Sequence, residues 1–239
     1  MIKDLQYFIE KEDEFIKNHP NYGEPFFDPE IGELSIFGMN DCLDYLSDRL
    51  ISKTSATMKG PLENEIKFGL SDAQRVLLHL FYGRDSRIFR DDYYHDGITD
   101  FVRNLFDTFD DVVRKAPVNS DPILYRFCNE YDRCDMKAGE IIEFPHNLTC
   151  TNYDWEQEDF KNVYIITPLK NGNTRAHNLY EICKHGNENQ VDFLRHTKFK
   201  VTKIENTIGT EYKKFYLEEM NEPTSEISIT SQANLTAKP

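Results

Sequence analysis

Basic residues are scarce relative to acidic ones: 28 Lys and Arg against 42 Asp and Glu give a formal net charge of −14. A surface of that sign repels polyphosphate, so a nucleic-acid partner is disfavoured and any anion site has to be a local pocket. Cysteine offers no framework either. The five (Cys42, Cys128, Cys134, Cys150, Cys183) are odd in number and contain no CxxC pair, which argues against a disulfide scaffold and against a zinc cluster. No run of about 18 apolar residues is present to cross a membrane, and the first ten residues reach acids before any apolar stretch of signal-peptide length. The expectation is a protein without a membrane partner, cytoplasmic or delivered into a host cell without a recognisable signal peptide. With 39% hydrophobic residues over 239, the chain has material for an ordinary core.

What is there divides into two halves. Apolar residues recur at helical spacing in residues 2–18 until Pro20 and Gly23 interrupt them, and residues 25–38 are punctuated by Pro and Gly. Asn40 can cap a second helix carrying Leu43, Leu46, Leu50 and Ile51, followed by a polar linker over 52–60. Ser71 with Gln74 reads as a capping box before Val76, Leu77, Leu80 and Phe81, and Gly83 is placed to end that helix. A further helix is predicted over 97–115, with Pro117 closing it. Beyond it the period changes. Residues 123–127, 140–144, 147–151, 162–167, 178–183, 190–194, 199–204 and 212–217 are short runs of Ile, Val, Tyr, Phe and Thr between Gly, Pro and Asn. Helices first and strands afterwards predict an α+β class with a mostly antiparallel sheet: a helical region over 1–117, a β core over 118–220 and a disordered tail over 221–239.

Few residues stand out for chemistry. Arg126 leaves the apolar strand Ile123-Leu124-Tyr125, and its planar fork suits either a bound phosphate or carboxylate or an internal acid. Thr149 and Thr151 flank Cys150, so both hydroxyls share a strand face, where they could orient a ribose or carboxylate or be ordinary strand composition. Glu188 and Gln190 are two apart at a strand start, and a carboxylate there could stabilise positive charge on a ribosyl carbon. As a surface turn they would do nothing. Cys150 lacks an activating neighbour in sequence, and Asp91-Asp92 with His95-Asp96 reads as a solvated turn sooner than a metal site; no metal is assigned.

Together these pieces resemble the arginine-serine-glutamate class of mono-ADP-ribosyltransferases, which includes many bacterial toxins and phage enzymes, over about residues 120–218. Leu124-Tyr125-Arg126 resembles the first motif. Leu148-Thr149-Cys150-Thr151 is similar to the aromatic-x-Ser-Thr-Ser block, with Thr in both Ser positions, and Glu188-Asn189-Gln190-Val191 with Thr197-Lys198-Phe199-Lys200-Val201 to the Glu-x-Glu turn and its closing strand. The resemblance implies a split β core that binds NAD as a substrate and transfers ADP-ribose to a protein acceptor. It implies that Arg126 holds the NAD phosphate or nicotinamide ribose and that the backbone of Phe127 meets the carboxamide. Thr149, with Thr151 beside it, would position the acidic turn, and Tyr153 or Trp155 would stack on nicotinamide. Residues 180–188 would recognise the acceptor, Glu188 at the first acidic position favouring arginine. The sequence departs at the second position, where Gln190 replaces the usual glutamate and supplies no charge. That leaves three expectations: a transferase, a degenerate binder of NAD or a protein, and a plain interaction module.

Overall fold

The computed structural model describes residues 4–18, 25–28, 33–36, 63–82, 86–91, 98–128, 132–154, 161–183, 189–207 and 209–221. The helix expected after Asn40, the linker over 52–60, Gly83 and the tail beyond residue 221 lie outside them, as do Trp155 and Glu188.

Among the described residues, four α-helices precede the main sheet: α1 (Leu5–Asn18), α2 (Glu63–Lys67), α3 (Asp72–Phe81) and α4 (Asp100–Lys115). Helix α3 starts where Ser71 Oγ accepts from the Gln74 N–H at 3.3 Å and Gln74 Oε1 accepts from the Ser71 N–H at 2.9 Å, so two otherwise orphaned donors are satisfied reciprocally. Thr99 Oγ1 caps α4 through the Val102 N–H. Phe101, Val102, Leu105, Phe106, Phe109, Val112 and Val113 form one buried stripe along α4. That stripe meets Val76, Leu77, Leu80 and Phe81 of α3 and Phe8 of α1 in a first apolar cluster. A buried acid ties α2 to α3: Glu65 accepts from Arg75 Nε at 2.8 Å and lies 2.6 Å from His79 Nε2.

Strands β3 (Leu124–Phe127), β4 (Ile141–Phe144), β5 (Leu148–Thr151), β6 (Val163–Thr167), β7 (Ala176–His177), β8 (Gln190–Phe193), β9 (Thr197–Asn206) and β10 (Lys213–Glu219) form one sheet in the order β4-β9-β10-β6-β3-β5-β8-β7. Every neighbouring pair is antiparallel except β10 with β6. Alternation sends Leu124, Leu148, Cys150, Ile166, Val191, Phe193, Phe199 and Phe215 into a second apolar cluster on one face. The α+β class with a mostly antiparallel sheet is the observed one.

Two elements differ from the sequence expectation. The Pro- and Gly-punctuated stretch holds a hairpin, β1 (Pro25–Asp28) with β2 (Glu33–Ile36), registered from Pro25 opposite Ile36 to Asp28 opposite Glu33. The strand expected over 178–183 is instead a 3-10 turn, Leu179–Glu181, after the two-residue β7. Leu179, Ile182 and Cys183 are buried in the first cluster, and their three-to-four spacing suits one side of a helical turn.

Candidate functional site

Directly opposed residues of an antiparallel ladder project from the same face. Tyr125 stands opposite Thr151 and Thr151 opposite Gln190; Thr149 stands opposite Asp192 and Asp192 opposite His177. Six side chains therefore lie in two rows across β3, β5, β8 and β7, on the face away from the second cluster.

At the centre is Asp192, with no solvent exposure. Its Oδ1 accepts from the Thr149 hydroxyl at 2.8 Å and its Oδ2 from Gln190 Nε2 at 3.0 Å. The acid that Thr149 meets is thus Asp192, two residues beyond the Gln190 position named from sequence. The Thr151 hydroxyl accepts from the Tyr153 N–H at 3.1 Å, closing the turn that presents the exposed Tyr153. His177 Nδ1 donates to the Ala116 carbonyl at 2.8 Å, and burial lowers the pKa of its ring.

Arg126, next to Tyr125 in β3, projects from the opposite face and reaches this cluster only through its backbone. Nη1 donates to the Thr149 carbonyl at 3.2 Å. Nε and Nη2 grip Asp132, with Nη2 at 2.9 Å from Oδ2, and Arg90 approaches the same carboxylate at 3.4 Å. Of the two uses left open for this fork, the internal acid fills it. Phe127 lies opposite Val163 in the β3–β6 ladder, and Glu188 and Trp155 are outside the described residues. The structure brings Thr149, Thr151 and Gln190 together, sets Arg126 behind them, and adds Asp192 and His177. Alternation outward from Gln190 would have flagged Asp192, but only the strand register shows which residue Thr149 faces.

The site strands are fastened to α4. Asn147 Nδ2 donates to Asp110 Oδ1 at 2.9 Å and to the Phe193 carbonyl at 3.3 Å. Arg195, just past β8, donates to Asp110 at 3.1 Å and Asp107 at 2.9 Å, its guanidinium 5.3 Å from the Phe106 ring centre. This holds the ends of β5 and β8 together and fixes how Thr149 meets Asp192.

Among the described residues, every cysteine thiol has its pKa raised by burial. Burial pushes the Cys150 and Cys128 thiols well above their usual range and Cys183 to about 11. Among the described residues no three His, Cys, Asp or Glu group as metal ligands, and no helix is long and apolar enough to cross a membrane. Of the acidic turn considered for a metal, Asp91 contacts His146 Nδ1 at 3.2 Å, and residues 92–97 lie outside the described ones.

No protein-family model matches the chain, and no curated protein matches it in sequence. In three dimensions it is similar to the C3 exoenzyme of Clostridium limosum, at 11% identity and a TM-score of 0.51 over 72% of this chain and 95% of that one. It is similar to Plx2a, an ADP-ribosyltransferase toxin from Paenibacillus larvae, at 13% and 0.52 over 70% and 96%. It is also similar to C3stau2 from S. aureus, in its structure with NAD, at 8% and 0.51 over 72% and 94%. The chain has the fold of these proteins.

Proposed function

We propose that this chain is an NAD-dependent mono-ADP-ribosyltransferase that moves ADP-ribose to a protein acceptor, arginine among the candidate residues, and releases nicotinamide. The observation that carries the reading is Asp192, a fully buried carboxylate held by Thr149 and Gln190 on one sheet face, in a fold shared with ADP-ribosyltransferase toxins. A carboxylate fixed by hydrogen-bond donors is ready to oppose positive charge that grows on the ribose carbon as nicotinamide departs, without reorganising at that moment. Gln190 orients that carboxylate through its amide and offers its own oxygen to a ribose hydroxyl. Thr149 aligns the acid, while Arg126, tied to Asp132, supports β5 from behind through the Thr149 carbonyl. Tyr153 and Trp155 are the aromatic candidates for nicotinamide, and Glu188 for the acceptor. Incubating the chain with labelled NAD and cell extract tests the reading: protein-bound label with free nicotinamide is expected, and neither appearing refutes it.

A second reading, a non-catalytic binder of NAD or protein, is favoured by the filled fork of Arg126 and by the complete burial of Asp192. Calorimetric binding of NAD without nicotinamide release would select it.

A further inference from the structure

Transfer to a protein requires more than a departing nicotinamide. The attacking nitrogen of an acceptor must shed a proton, and neither Asp192, already holding two donors, nor Gln190 is suited to take it. The residue across from Asp192 is His177. Directly opposed side chains in such a pair start about 4.5–5.5 Å apart at Cβ, so the imidazole lies within one side chain of the carboxylate.

The tautomer of this ring is fixed by its partner. A carbonyl can only accept, so Nδ1 carries the proton that binds Ala116 O at 2.8 Å, and Nε2 presents a lone pair. Among the described residues Nε2 makes no hydrogen bond, and it is not one of the buried side-chain atoms closed off without a partner. The register of β7 is itself fixed, by pairing with β8 and by the bridge from Val118 to His177. Among the described residues, the charged groups around the ring are Asp192 on β8, Arg114 near the end of α4 and Arg175 on the approach to β7. Burial and the two arginines disfavour the imidazolium, while the Ala116 carbonyl favours it; the net direction is downward from the ordinary histidine value. The ring is therefore neutral at neutral pH.

We infer that His177 is the general base of transfer, accepting through Nε2 the proton released by the acceptor. This rests on the reading above. The bond from the ribose carbon to nicotinamide nitrogen breaks with its electron pair moving to nicotinamide, which leaves neutral. A lone pair on the acceptor nitrogen forms the new bond, and the proton that nitrogen sheds passes to His177 and then to water.

His177→Asn is the informative variant, because an asparagine amide reaches about as far as Nδ1 and keeps the donation to Ala116 while removing the base. His177→Gln, with thermal melts of both, controls for folding. For the wild type, transfer should fall on the acid side through an apparent pKa below 6.5. In His177→Asn that limb should vanish, transfer to protein should fall about 10²-fold or more, and the share of released nicotinamide matched by protein-bound ADP-ribose should drop. An unchanged share and an unchanged acid limb in a folded variant overturn the assignment and leave the transferase reading standing. A wild type that consumes no NAD with any extract removes the transferase reading itself, and the assignment with it.

Discussion

The Thr149 hydroxyl donates to the Asp192 carboxylate at 2.8 Å across the β5–β8 pair. Threonine at this position is therefore a holder of the acid, and its loss should be felt as misalignment. Thr149→Val keeps the shape and removes the donor; nicotinamide release should fall about tenfold, while Thr149→Ser should retain most of it. Steady-state release assays on the two variants check this, and equal rates in both would separate the hydroxyl from the chemistry.

Gln190 donates to the other oxygen of the same acid. Gln190→Glu replaces a donor by a second carboxylate 3.0 Å from the first, and two such groups cannot both ionise there. The new carboxyl should have a folded pKa above its unfolded value of about 4.3. The variant should then match the wild type at acid pH and lose stability as pH rises through the folded pKa. Urea unfolding at pH 5 and pH 8 reads the sign. A rise in nicotinamide release at neutral pH would instead show that a charge at position 190 adds to the chemistry, as the Glu-x-Glu resemblance implies.

Arg126 and Asp132 form an ion pair with side chains 16% and 1% exposed. Arg126→Ala removes a main partner of a buried carboxylate and should cost about 3–5 kcal/mol of stability. Combining it with Asp132→Asn should recover part of that loss, a coupling of about 1 kcal/mol or more in a double-mutant cycle by chemical denaturation. Additive losses would mean the pair is not the role of this arginine, and would return its fork to a ligand.

Burial raises the thiol pKa of Cys150 and Cys128, so both should resist maleimide in the native state at pH 8 and react on unfolding. Mass spectrometry of labelled peptides decides it; rapid native labelling of Cys150 would contradict the packing of the second cluster.

Local signals carried much of the fold. The Ser71–Gln74 box and the stripe of α4 depend on residues three or four apart, and the strands on alternation, so both were legible. The residues 178–183 misled because a buried apolar run suits a strand or a tight turn, and only the first cluster selects the turn. Hairpin β1–β2 was obscured by the same Pro and Gly that bound it. For the candidate site, sequence singled out the threonines and Gln190 but not Asp192 or His177, because their place beside Thr149 comes from β8 lying between β5 and β7. The partner of Arg126 was equally hidden, as any of 42 acids could have filled its fork.

The central claim is that Asp192 is the carboxylate on which NAD cleavage depends. The most direct measurement is nicotinamide release from labelled NAD by wild type and Asp192→Asn, with matched far-ultraviolet dichroism to show that both are folded. Wild-type release that falls about 10²–10³-fold in the folded variant is the predicted result; a folded Asp192→Asn that releases nicotinamide at the wild-type rate would contradict it.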